Sequence, residues 1–251
     1  MSQIQPVRPA ATVILVRAAD SDSGFEIFML RRTSKAAFAG GMYVFPGGRV
    51  DGDDHLHKYD AVRVGPDDRQ AHQRQALGFE WRGFWIAGIR ESFEEAGLLL
   101  AYDASGELVR YGDDDAREHF HRYRAPLHAG QISLQEICQR ENLRLAVDRI
   151  HFYNRFVTPM GRPRRFDTRF FIAEAPPGQA GRHDEKETVH SIWISPQEAL
   201  ARHADKDFDL MNVTRLQLER LAGYPSMSAV LDMAASKREF PVHRPHLPAS
   251  V

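Results

Sequence analysis

The chain has 251 residues, 43% of them hydrophobic, enough for one substantial core or a core with a helical annex. Its formal net charge is -1 with charges mixed along the sequence, which argues against a basic nucleic-acid face or a polybasic membrane patch. Cys138 is the one cysteine, which excludes an intramolecular disulfide and a cysteine-rich zinc site and fits a reducing, cytoplasmic setting.

The first ten residues are polar and proline-bearing without an apolar signal core, and no stretch reaches the roughly 18 apolar residues of a spanning helix. Residues 11–17 (ATVILVR) form a β-branched run that predicts a strand, residues 21–24 a turn, and residues 26–32 (EIFMLRR) the partner strand. A third short strand is expected at 42–45, ended by Pro46-Gly47-Gly48, which cannot continue a ladder. Residues 51–80 are polar and read as a surface insertion with one short helix that offers little to a core. Residues 85–100 carry the strongest helical pattern, followed by helices near 113–123 and 133–141. Strands are expected at 151–157, 166–174 and 191–194, then a helix capped by Ser195 ahead of Pro196. Helices at 211–222 and 226–236 close the pattern, before a proline-bearing tail without periodicity. The sum is an α/β (α+β) sandwich in one domain.

On a helical wheel for 85–100, Ile86, Ile89, Phe93, Ala96 and Leu100 share one side, while Glu91, Glu94 and Glu95 share the other. The three glutamates sit at i, i+3 and i+4, so their side chains are surface neighbours. Such a face is usually a solvated one. Here like charges repel with Arg90 as the one cation close by, and three oxygen ligands on one face suit a hard divalent cation. Upstream, the Phe45-Pro46-Gly47-Gly48 turn exposes backbone that can offer a carbonyl to a metal or N–H groups to a phosphate.

Pro46-Gly47-Gly48 followed by Arg90-Glu91-Ser92-Phe93-Glu94-Glu95-Ala96-Gly97-Leu98 resembles the Nudix box: glycine, five residues, glutamate, seven residues, then Arg-Glu-aliphatic-any-Glu-Glu-any-Gly-aliphatic. Ser92 departs from the aliphatic, and Asp54 stands where the family has its first glutamate, leaving the role to Asp54, to Asp51 or Asp53, or to none. Residues 55–89 then replace the family's seven, an insertion within the box. The interrupted box, with Arg164-Arg165-Phe166-Asp167-Thr168 downstream, resembles a Nudix subgroup that includes peroxisomal coenzyme A diphosphatases. Leu30, Arg32 and Gly41 partly fit a longer coenzyme A motif of another branch, which Ala37 breaks.

The resemblance implies a Nudix-type α/β/α sandwich with a mixed sheet, a core over about 10–200, an insertion at about 55–83 and a helical extension at about 205–240. It implies Mg2+ or Mn2+ held by Glu91, Glu94 and Glu95 with backbone help near Gly48, and Arg90 holding those carboxylates in place. The catalytic base falls to Glu187, in the acidic segment with Asp184 and Glu185, or to Glu91. Arg32, Arg164 and Arg165, with Arg162 beside them, are candidates for substrate phosphates. The implied activity is metal-dependent cleavage of a nucleoside-diphosphate-linked small molecule, with coenzyme A or an acyl-coenzyme A as leading substrate and no nucleic-acid or membrane partner. A homodimer is compatible with it. ADP-ribose, nucleotide sugars, dinucleoside polyphosphates and a non-catalytic nucleotide-binding module remain the alternatives.

Overall fold

The computed structural model of the protein describes residues 6–19, 24–36 and 38–245; Ala37 and most of the turn expected at 21–24 lie outside them. The elements in chain order are β1 (Val7–Ala18), β2 (Phe25–Arg32), β3 (Tyr43–Val44), β4 (Gly47–Arg49), β5 (Arg63–Val64), α1 (Ala71–Leu77) and α2 (Trp81–Ala96). Then follow β6 (Ala101–Tyr102), α3 (Asp114–His128), α4 (Leu134–Arg140), β7 (Arg144–Ala146), β8 (Ile150–Val157), β9 (Arg165–Glu174) and β10 (Thr188–Ile194). The chain closes with α5 (Pro196–Ala204), α6 (Asn212–Leu221), α7 (Met227–Ser236) and β11 (Val242–His243).

The main sheet is mixed, in the order β10-β2-β1-β9-β8-β11, with β3 beside β2 and β4 beside β1; β5, β7 and β6 form a small second sheet. β1 runs parallel to β9 from Val7↔Arg165 to Val16↔Glu174, which is why it starts before the apolar run that marks it in the sequence. Successive side chains of a strand point to opposite faces. Ala11, Val13 and Leu15 accordingly pack with Phe84, Trp85, Ile89 and Phe93 of α2, while Ile14 and Val16 pack with Leu218, Leu221, Val230 and Ala234 of α6 and α7. The result is the expected three-layer sandwich, and the C-terminal helices expected as an extension are its outer layer. Among the described residues no helix is long and apolar enough to cross a membrane.

Two expectations are corrected here. The box helix runs from Trp81 to Ala96, not over 85–100. Gly97 adopts the left-handed conformation at φ 67° and ends it, with its amide bonded back to Phe93 and Ser92. Leu98, Leu99 and Leu100 continue into the core as non-helical chain.

The insertion is not a surface appendage. Tyr59, Val62 and Leu77 are buried in the α2-side core. Gln70 Nε2 donates to the carbonyls of Val147 and Ile150, both at 3.0 Å. Gln73 accepts from the Phe152 amide at 2.7 Å and donates to the Ala234 carbonyl at 3.1 Å. Two buried glutamines thus fasten the segment to backbone around β8 and α7, and polar composition conceals a structural role. The tail after α7 also contributes, pairing β11 in parallel with β8 to form the edge of the main sheet.

Candidate active site

β4, which contains Gly47 and Gly48, pairs with β1 through Thr12↔Gly47 and Ala11↔Gly48 and lies against α2. The Gly47 amide donates to Glu95 Oε2 at 2.9 Å. A Cβ on Gly48 would stand 2.6 Å from the Glu91 carboxyl carbon, so a residue without a side chain is required for that carboxylate to lie against the strand. The turn and the helix, far apart in sequence, form one unit.

Arg90 is the hub of that unit. Its Nε and Nη2 donate to the two oxygens of Asp54 at 3.0 and 2.9 Å. Nη2 also donates to the Arg49 carbonyl at 2.8 Å, and Nη1 donates to Glu91 at 2.8 Å and Glu94 at 3.3 Å. Asp54 is fully buried. Of the three aspartates left open by the sequence, Asp54 therefore holds Arg90 bidentately, while exposed Asp51 stands 3.6 Å off and Asp53 binds Lys58 and Tyr59. Burial opposes the Arg90 charge, but Glu91, Asp54 and Glu94 outweigh it and raise its pKa above the ordinary value. Across the insertion, the two halves of the box meet in space.

Two residues complete the surroundings that sequence reasoning did not single out. Arg124 of α3 donates from Nε to the Glu94 carbonyl at 3.0 Å and from Nη2 to the Glu95 carbonyl at 2.8 Å, capping carbonyls at the end of α2. His128, in the last turn of α3, places Nδ1 3.4 Å from Glu94 Oε2. Both lie beyond the box in another helix, where no local pattern marks them. With Glu94, His121, Asp184 and Lys186 they line a cavity of about 140 Å³.

Glu187, at the entry to β10, accepts from Arg32 Nη2 at 3.0 Å, and Arg32 Nη1 lies 4.0 Å from Glu95. Asp184 accepts from the amides of Lys186, Glu187 and Thr188 and so shapes the loop, while Glu185 pairs with Arg182. Arg164 is exposed on the β8–β9 connection, and Arg165 donates to the Thr158 carbonyl at 3.2 Å. Phe166 meets Phe38 edge-on at 5.6 Å, which brings that connection beside the loop following Arg32. Asp167 binds Arg155 at 2.6 Å and Arg169 at 2.8 Å, and Arg169 lies over Phe84 at 4.1 Å. That part of the downstream motif ties the sheet to α2.

Burial pushes Glu91 up to about 8, with repulsion from Glu94 and Asp54 adding to it and Arg90 opposing. Glu95 is raised well above the usual carboxylate range by burial and by Glu91, against the Gly47 amide and Arg32. Burial raises Glu94 too, opposed by Arg90 and His128. Among the described residues no three acidic, histidine or cysteine side chains are gathered as a ready cation cluster. The glutamates are turned onto Arg90, His128, Arg32 and the Gly47 amide instead. The donor set nevertheless fits a hard divalent cation: three carboxylates on one helix face, desolvated and mutually repelling, beside a strand stripped of side chains at Gly48.

The model of the NUDT19 Nudix domain matches residues 67–221. The chain is 28% identical over 265 residues to the acyl-coenzyme A diphosphatase NUDT19 of Gallus gallus, covering 88% of this chain and 69% of that protein. It is 26% identical over 249 residues to the acyl-coenzyme A diphosphatase NUDT19 of Homo sapiens, covering 82% of this chain and 62% of the relative. The crystal structure of a Nudix hydrolase from Alicyclobacillus acidocaldarius superposes with a TM-score of 0.70 at 23% identity, covering 91% of this chain and 96% of the other, and shows the same fold. The chain belongs to the NUDT19 Nudix domain family and is a Nudix hydrolase.

Proposed function

We propose that the protein hydrolyses the diphosphate bond of coenzyme A or an acyl-coenzyme A, giving 3′,5′-ADP and a 4′-phosphopantetheine product, with Mg2+ or Mn2+ as cofactor. The observation that carries this reading is the gathering of Glu91, Glu94, Glu95, Glu187 and Arg32 at one end of the sheet, in a chain whose relatives bear the name acyl-coenzyme A diphosphatase. When bound, the cation supplies charge neutralisation at the diphosphate. Glu91, Glu94 and Glu95, with the backbone at Gly48, would hold it, and Arg90 with Asp54 keeps the helix carboxylates in place.

Glu187 is the carboxylate best placed to take a proton from water. Its side chain is 40% exposed, against 12% for Glu91, 6% for Glu94 and 8% for Glu95. Water attacks one phosphorus, the bond from that phosphorus to the bridging oxygen breaks, and the water proton passes to Glu187. Arg32 turns two donors toward Glu187 and Glu95 and, among the described residues, keeps a buried Nε without a partner, a cation suited to the diphosphate charge beside it. Arg164 and Arg165 are assigned to the 3′-phosphate, at the connection that Phe166 and Phe38 bring toward Arg32.

Comparing kcat/KM for coenzyme A, 3′-dephospho-coenzyme A and ADP-ribose, in the native chain and in Arg164→Ala, tests the substrate. The expected result is a native preference for coenzyme A that Arg164→Ala loses. Turnover of ADP-ribose far above either coenzyme A form would overturn the substrate assignment and leave the hydrolase.

A further inference from the structure

Five polar side chains from four segments, Glu94, Glu95, His128, Glu187 and Arg32, close a ring around the end of α2. Glu94 meets His128 Nδ1 at 3.4 Å, and His128 Nε2 stands 3.8 Å from Glu187 Oε1. Glu187 Oε2 meets Arg32 Nη2 at 3.0 Å, and Arg32 Nη1 returns to Glu95 at 4.0 Å. The Glu187 backbone is anchored separately: its amide donates to Asp184 at 3.1 Å and its carbonyl accepts from the Thr33 amide at 2.9 Å. The backbone therefore fixes where Glu187 sits, and Arg32 on one side and the His128 ring on the other fix where its carboxylate points. His128 spans from Glu187 to Glu94, and Arg124 on the same helix binds the Glu94 and Glu95 carbonyls. The His128 ring is thereby held against the box helix.

We propose that His128 is a positioning residue for hydrolysis, holding the Glu187 carboxylate over the box-helix glutamates so that it meets the attacking water correctly aligned. The inference rests on the reading of Glu187 as the proton acceptor. With His128 removed, the Glu187 carboxylate keeps Arg32 as its one ion-pair partner among the described residues and gains freedom to turn away. Misplacement of a reacting group on the scale of an ångström costs up to about 100-fold in rate. His128 is not assigned a contact with substrate, so its loss should fall on kcat rather than on KM.

The test is steady-state kinetics of the full chain with an acyl-coenzyme A and saturating Mg2+, for His128→Ala, His128→Gln, Glu187→Gln and the double variant His128→Ala/Glu187→Gln. His128→Ala should lower kcat by about 10-fold to 100-fold with KM within about twofold. His128→Gln, whose amide can still donate, should recover most of the loss, and serves as the reference if the alanine variant melts early. The double variant should be no slower than Glu187→Gln alone, because the two residues act as one unit. A His128→Ala kcat within twofold of native, or losses that multiply in the double variant, would overturn the proposal. Glu187→Gln at the native rate while Glu94→Gln is inactive would overturn this proposal and leave the hydrolase reading standing. Native activity that Glu94→Gln does not reduce would overturn that reading itself.

Discussion

Glu95→Gln and Glu94→Gln should each lower kcat for an acyl-coenzyme A by on the order of 100-fold or more, while Glu198→Gln stays within about twofold of native. The isosteric amide isolates charge from shape. A glutamine in place of Glu95 retains an oxygen to accept from the Gly47 amide, and one in place of Glu94 retains an oxygen for Arg90, so the local fold has no reason to change. What each variant loses is a negative oxygen on the face that would hold the cation. Glu198 is exposed at the start of α5, on the opposite face of the sheet, where its amide closes the Ser195 cap. Since Glu91 is pushed up to about 8, the native chain should also bind Mg2+ more tightly as pH rises from about 6 through 8, because a cation competes with the proton on that carboxyl. Mg2+ titrations of rate at two pH values measure both effects. Near-native rates for both variants at saturating Mg2+ would remove the cation assignment from this face.

The second large effect concerns stability. Asp54→Ala should cost about 3–5 kcal/mol, because it leaves the Arg90 guanidinium buried without its bidentate partner. For a chain of this length that corresponds to a fall in Tm on the order of 10 °C. Activity should fall with it, since Arg90 also aims Glu91 and Glu94. Asp51→Ala, at 3.6 Å and largely exposed, should change Tm little. Calorimetric melts of the two variants beside the native chain give the answer. An Asp54→Ala chain melting within about 2 °C of native would show that the pair is not what supports the box.

Much of this arrangement is legible in the sequence wherever a local period or a motif carries it. The glutamate face, the β-branched strands and the Ser195–Pro196 helix start appear where spacing puts them, whereas Gly47 and Gly48, read as unable to continue a ladder, pair with β1 as strand β4. Apolar periodicity runs on through Leu98–Leu100 and hides the helix end, for which Gly97 in the left-handed region is the stronger signal. The insertion reads as surface because Gln70 and Gln73 are polar in composition, yet both spend their amides on buried backbone. Asp54 needs the third dimension, since its partner Arg90 lies beyond the insertion. His128 and Arg124 carry no sequence signal at all: α3 becomes part of the site only by packing on α2.

Isotope labelling reads which bond is cleaved and where the water oxygen goes. An acyl-coenzyme A is incubated with the protein and Mg2+ in 18O-labelled water, and the products are weighed by mass spectrometry. The expected products are 3′,5′-ADP and an acyl-4′-phosphopantetheine, with a single 18O on the phosphate that water attacked. Free coenzyme A with a labelled carboxylic acid, from thioester rather than diphosphate cleavage, would contradict it.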